Sequence, residues 1–183
     1  MNAATRMQGL IESLLDFSRV TSKAQPLVPT DMNRILADVV EDLQSRIERT
    51  NGKVIVGKLP TIDADATQMR QLFQNLVGNA LKFAKPDEPP VVHVESERLA
   101  NGGWKFRVRD NGIGFEPRYA DKIFTIFQRL HGRGEYEGNG IGLAIVRKIV
   151  ERHGGGITAT SEPGEGATFE VSIPPRRAEI IKT

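Results

Sequence analysis

Gln71, Asn75, Asn79 and Lys82 stand at i, i+4, i+8 and i+11 of one stretch, beside an apolar series of Met69, Leu72, Phe73, Leu76, Val77 and Ala80. That spacing predicts a helix with a polar stripe running along an apolar face. Asparagine costs propensity in a helix interior, so two in one stripe point to a ligand or hydrogen-bonding role beyond a merely solvated face. The amide oxygen of Asn suits Mg2+, which takes hard oxygen ligands and usually keeps waters and substrate phosphates in its other positions. A second candidate follows the run W-K-F-R-V-R, where Asp110 closes an expected strand with Gly112 and Gly114 just beyond. An Asp before glycines can simply cap a turn. Buried at a strand end, its carboxylate can instead accept a hydrogen bond from an exocyclic amine, which adenine N6 supplies and guanine O6 cannot.

Glycine makes the third candidate. Fourteen of the eighteen glycines fall between Gly102 and Gly166, a density that suggests backbone held close to something. Residues 138–143 read G-N-G-I-G-L and run into A-I-V-R-K-I-V, an apolar stretch with helical spacing. A helix N-terminus offers unpaired N–H groups and a partial positive charge, so a phosphate is its natural guest. G-E-G-A-T at 164–168 is a further glycine motif. None has the G-x-G-x-x-G spacing of a dinucleotide fold. Residues 52–58, G-K-V-I-V-G-K, fit the spacing of a phosphate-binding loop, but Leu59 stands where Ser or Thr would hold magnesium and Pro60 follows, so that reading is rejected.

The elements that must position these residues follow from periodicity. Residues 5–20 place Met7, Leu10, Leu14 and Phe17 three and four apart, with Ile11 and Leu15 widening the stripe. That is an a/d seam of barely two heptads, marginal alone in water, so this helix packs on the main domain or, the favoured reading, is the remnant of a larger bundle. Pro26 and Pro29 break it, and Thr30 or Asp31 caps a helix carrying Ile35, Leu36, Val39, Val40, Leu43 and Ile47. A domain boundary is placed near residue 27. Lys53–Val56 reads as a strand, Asp65 with Gln68 as a capping-box-like start, and V-V-H-V and W-K-F-R-V-R as strands joined by A-N-G-G. Pro117 opens an expected helix with Ile123, Phe124 and Phe127, a second helix runs over 141–152, and 157–161 with 167–173 form a hairpin. Interleaved helices and strands with two hairpins predict an α+β fold, helices packed on one side of a mixed sheet.

Composition limits the alternatives. Among 183 residues, 25 basic and 23 acidic side chains leave a net charge of +2, too small a field to argue for nucleic acid. The chain has no cysteine, which removes disulfides, thiolate catalysis and Cys-based zinc sites. No apolar run reaches the length of a membrane span, and the first residues lack a signal-peptide pattern, so a soluble chain with no membrane contact of its own is expected, while composition leaves the compartment open.

The ordered set Q-N-L-V-G-N-A-L-K-F (74–83), D-N-G-I-G (110–114), F-T-I-F (124–127), G-N-G-I-G-L (138–143) and G-E-G-A-T-F (164–169) resembles the N, G1, F, G2 and G3 boxes of sensor histidine kinases. These belong to the Bergerat-fold ATPases, which also include gyrase, Hsp90 and MutL. The resemblance covers roughly residues 30–175, and the wording of I-F-Q-R-L-H-G-R-G-E-Y-E-G is similar to phytochrome-type and PAS-linked kinases. It implies a two-layer sandwich of mixed sheet and helices, with residues 1–26 as part of the second helix of a dimerisation bundle, 27–176 as an ATP-binding catalytic domain, and 177–183 as a tail. The implied cofactors are ATP and Mg2+. The implied partners are a histidine-bearing bundle of the same protein and a response-regulator receiver domain, with a homodimer in the full-length protein.

Carried onto this chain, the resemblance makes Asn79 the Mg2+ ligand, Asn75 its neighbour, and Lys82 and Arg129 phosphate contacts, with Arg133 as a helper. Asp110 becomes the adenine-reading carboxylate, Gly112 and Gly114 the pocket floor, and Gly138, Gly140 and Gly142, with Leu143, the backbone that meets the phosphates. Residues 128–139 become a lid, and Gly164, Gly166 and Thr168 close the rear. In hydrolysing relatives a Glu stands four residues before the magnesium Asn as general base; here that position is Asn75, which takes no proton at neutral pH. A neutral imidazole needs no such base, which favours transfer to histidine over hydrolysis. His93, His131 and His153 all read as structural or surface residues, and the helix that would carry the acceptor histidine is expected upstream. Two other classes stay open: a nucleotide-binding regulator or pseudokinase, and a Bergerat ATPase.

Overall fold

The computed structural model describes residues 3–128 and 139–175. In chain order the elements are α1 (Ala3–Ser22), β1 (Val28–Asp31), α2 (Met32–Asp42), α3 (Gln44–Arg49), β2 (Lys53–Val56), β3 (Thr61–Ala64), α4 (Ala66–Lys82), β4 (Val91–Arg98), β5 (Trp104–Asp110), α5 (Gly142–Arg152), β6 (Gly156–Glu162) and β7 (Gly166–Ile173). Five strands form one mixed sheet in the order β2-β4-β5-β7-β6, in which only the β2–β4 pair is parallel. The expected architecture therefore holds. A second sheet, β1 antiparallel to β3, was not legible beforehand, because V-P-T-D and T-I-D-A are too short and too polar to alternate visibly.

Alternation sets the layers. Val92 and Val94 of β4, Phe106 and Val108 of β5, and Phe169 and Val171 of β7 are buried on one face, in register as Val94–Val108–Phe169 and Phe106–Val171. Phe106 meets the α4 residue Phe73 edge to face at 5.7 Å between ring centroids. Loss of either ring would cost about 3–5 kcal/mol. The other face carries His93, Arg107, Arg109 and Glu170, with Arg107 paired to Glu170 at 2.9 Å. Helices α2, α4 and α5 cover the apolar face, and the buried residues of α4 include Met69, Leu72, Phe73, Leu76, Val77 and Ala80, as the periodicity demands.

Caps begin the helices where the sequence places them. Asp31 accepts from the Asn33 N–H at the start of α2, and Asp65 accepts from the Gln68 N–H at the start of α4. The second pair is not a full capping box, since the Gln68 side chain donates instead to the Val20 carbonyl at 2.7 Å and ties α1 to the domain. Helix α1 both packs and exposes itself: Val20 is buried and Phe17 half-covered, while Met7, Leu10, Ile11, Leu14 and Leu15 face solvent. No described helix is long and apolar enough to cross a membrane.

One expected helix is absent. After Pro117 the chain makes only two short 3-10 turns, Pro117–Tyr119 and Lys122–Phe124. Ile123 and Phe124 are buried as expected, but Thr125 is extended and Phe127 is 55% exposed with φ 65°. Its N–H bonds the Gly140 carbonyl at 2.9 Å, a tertiary bond that stops any continuing helix.

Candidate functional site

Between α4, α5 and the end of β5 lies a cavity of about 550 Å3. One wall is the polar stripe of α4, where Gln71, Asn75, Asn79 and Lys82 all reach the cavity. Their one-turn spacing on a helix whose other face is buried in the core leaves them no other direction.

The opposite wall is the start of α5. Gly140, Ile141, Gly142 and Leu143 line the cavity there, and Ile141 supplies no side-chain cap, so the first turn of the helix opens on the cavity without a side-chain cap from its own N-cap residue. Asn75 fills the space against this helix start: it donates to the Gln71 carbonyl at 2.8 Å, and a Cβ on Gly142 would stand 2.5 Å from the Asn75 Oδ1. Only glycine lets α5 approach the Asn stripe this closely.

The far end of the cavity is built differently. Asp110 follows Phe106 and Val108 on the helix-facing side of β5, so strand alternation itself buries the carboxylate. Its Oδ1 accepts from the Gly112 N–H at 2.8 Å and from the Ala167 N–H at 3.2 Å. Burial raises its pKa above the ordinary 3.8, outweighing the two backbone bonds that favour the ionised form. Gly114 has φ 63°, and a Cβ there would run into the Glu162 carbonyl oxygen, while the Gly164 N–H bonds the Ile113 carbonyl at 2.8 Å. The glycines after β5 and between β6 and β7 thus lock together behind the carboxylate. Ile113, Phe115, Ile123 and Phe169 add an apolar lining suited to a flat ring.

Of the residues expected at the site, Asn75, Asn79, Lys82, Asp110, Gly114, Gly140, Gly142 and Leu143 line this one cavity. Two do not. Thr168 pairs with Arg109 on the outer face of the sheet, and its neighbours Ala167 and Phe169 line the cavity in its place, as period-two alternation requires. Gly112 sits behind the floor, against the Phe83 carbonyl, and serves the site through its N–H to Asp110. Arg129, Arg133, His131 and Gly138, with most of the expected lid, lie outside the described residues. His153 is structural: Nδ1 donates to the Ile149 carbonyl at 2.7 Å and Nε2 accepts from the Asp65 N–H at 3.1 Å, and burial lowers its pKa. Ser13 and Asp16 of α1 were not anticipated as lining residues, whereas Asn139, expected as the last residue of the lid, does line the cavity. No sequence signal could have found the first two, since α1 meets the cavity only through tertiary packing.

Among the described residues no group of three His, Cys, Asp or Glu could cage a metal. The donors at the α5 end are amides, a set that fits Mg2+ only when phosphates and waters complete the shell.

Residues 64–177 match the family described as histidine kinase-, DNA gyrase B-, and HSP90-like ATPase. The chain is 47% identical over 168 residues to cyanobacterial phytochrome A of Nostoc sp. (strain PCC 7120), covering 92% of this chain and 22% of that protein. It is 44% identical over 168 residues to phytochrome-like protein Cph1 of Synechocystis sp. (strain PCC 6803), again covering 92% and 22%. A crystal structure of full-length ShkA in complex with AMPPNP is similar with a TM-score of 0.77 and 30% identity, over 94% of this chain and 36% of that one. The chain thus spans 22% of the length of these two phytochrome relatives.

Proposed function

Since the chain belongs to the histidine kinase-, DNA gyrase B-, and HSP90-like ATPases, we propose that it is the ATP-binding catalytic domain of a two-component sensor histidine kinase. In this reading residues 27–176 bind Mg-ATP, residues 1–26 belong to a dimerisation bundle, and the γ-phosphoryl group passes to a histidine on another helix of that bundle, for relay to a response-regulator aspartate in the cytoplasm.

The observation that carries it is the pairing of Asn75 with the uncapped start of α5. Asp110 accepts the adenine N6 hydrogen while the apolar walls hold the ring. The first N–H groups of α5 and the Lys82 ammonium would face the phosphates, and Arg129 adds a further cation. Asn79 would hold Mg2+, which neutralises charge on the phosphate oxygens when bound. Asn75, pinned by Gln71 and wedged beside Gly142, holds no proton-accepting group where a water-activating base would stand. What remains is positioning and charge stabilisation, which suffices for a neutral imidazole nucleophile.

The test supplies the histidine-bearing bundle of the full-length protein in trans, with ATP labelled at the γ position. The expected result is acid-labile phosphate on the bundle, none on this chain, and negligible steady release of phosphate. Binding without transfer would mark a nucleotide-binding regulator instead, and steady hydrolysis would mark an ATPase.

A further inference from the structure

Helix α1 has two unlike faces. Met7, Leu10, Ile11, Leu14 and Leu15 are exposed. Gly9, Ser13, Phe17 and Val20, three or four apart, face the domain. The Asn139 Nδ2 group donates to the Gly9 carbonyl at 2.7 Å and to the Ser13 Oγ at 2.9 Å. A Cβ at Gly9 would stand 3.2 Å from that same nitrogen, so glycine is what lets α1 come this near. Farther along, Lys148 donates to the Phe17 carbonyl at 3.0 Å and sits 4.1 Å over the Phe17 ring. Ser13 and Asp16, one turn apart, form part of the cavity wall.

We propose that docking of α1 on Asn139 opposes binding of the nucleotide's phosphates, so that the position of this helix and the occupancy of the phosphate end are coupled. The inference rests on reading the cavity as the ATP site. Asn139 immediately precedes Gly140 at the uncapped start of α5, yet its amide N–H groups are spent on α1. Asp16 adds negative charge to the same wall, where a triphosphate brings more. Its pairing with Arg19 at 3.2 Å is solvent-exposed and neutralises it only in part. Adenosine, which fills only the Asp110 end, escapes both effects. By reciprocity, a bound triphosphate loosens α1 to the degree that docked α1 weakens the triphosphate.

The test is calorimetric titration of the whole chain, and of its Ser13→Ala, Gly9→Val and Asp16→Asn variants, with Mg-AMPPNP and with adenosine. All three substitutions lie on the part of α1 outside the main core, and a thermal melt confirms that each folds. The expected result is that each variant binds Mg-AMPPNP about threefold more tightly or better, while adenosine affinity stays level. Unchanged or weaker AMPPNP affinity in folded variants overturns the coupling and leaves the ATP site standing. Equal gains for adenosine also overturn it, since the effect would then not belong to the phosphates. A wild-type chain that binds neither ligand overturns the functional reading itself, and the coupling with it.

Discussion

The two ends of the cavity are held by different kinds of structure. At the Asp110 end, neighbouring stretches of backbone lock to one another: Gly112 and Ala167 donate to one carboxylate oxygen, Gly164 bonds Ile113, and Gly114 packs against Glu162. At the α5 end, separate elements converge: the Asn stripe of α4, the uncapped N-terminus of α5, and Asn139 bonded to α1. The first end is a socket for a ring locked by backbone contacts, the second a junction of separate elements. A nucleotide spanning both would use the first for identity and the second for chemistry.

The largest effect expected is at the socket. Asp110→Asn should weaken ATP binding by about tenfold to a hundredfold by calorimetry, the value of a hydrogen bond to a charged group. The unliganded protein should lose no thermal stability and can gain some. Because burial raises the folded pKa above 3.8, the ionised carboxylate costs stability at neutral pH, and that cost is absent only below the ordinary value; Asn keeps an acceptor for Gly112 and Ala167 without it. A fall in both affinity and melting temperature would blur the distinction between reader and scaffold.

Next come two glycine substitutions that set the ends against each other. Gly142→Ala puts a methyl onto the Asn75 side chain, which can give way, so ATP affinity should drop about tenfold while the melting temperature moves little. Gly114→Ala meets a carbonyl that cannot move, at a positive φ, and should cost about 2 kcal/mol, on the order of 5 °C in a thermal melt. If Gly142→Ala unfolds the protein and Gly114→Ala does not, the contrast between adaptable and fixed ends is wrong.

The smallest effect lies away from both. His153 joins α5 to the start of α4 in its neutral form, with its folded pKa below the ordinary 6.5. Its contribution is complete above 6.5 and lost as pH falls from there through the lowered folded value, by at most about 1.4 kcal/mol per pH unit. Melting curves between mild acid and neutral pH should show this slope in the wild type and less of it in His153→Gln.

The same contrast explains what could be read beforehand. The socket and the α4 stripe were legible because strand alternation and helical spacing are local: Asp110 falls in phase with Phe106 and Val108, and Asn75 and Asn79 fall on one face. Thr168 was misplaced because its motif was read as a unit, when alternation along β7 sends it outward and Ala167 inward. The helix expected after Pro117 failed because a tertiary bond from Phe127 to Gly140 outweighed local pattern. The strands β1 and β3, and the approach of Ser13 and Asp16 to the cavity, depend on contacts between segments far apart in sequence, which no window of neighbouring residues records.

The most direct measurement of the two-ended account is a pair of calorimetric titrations of the intact chain, one with Mg-ATP and one with Mg-GTP. The two ligands share their phosphates and differ at the atom that faces Asp110. ATP should bind, and GTP should bind at least about tenfold more weakly, because its O6 offers the carboxylate an acceptor where a donor is needed. Equal affinities would show that the carboxylate does not read the base, and would contradict the account at its centre.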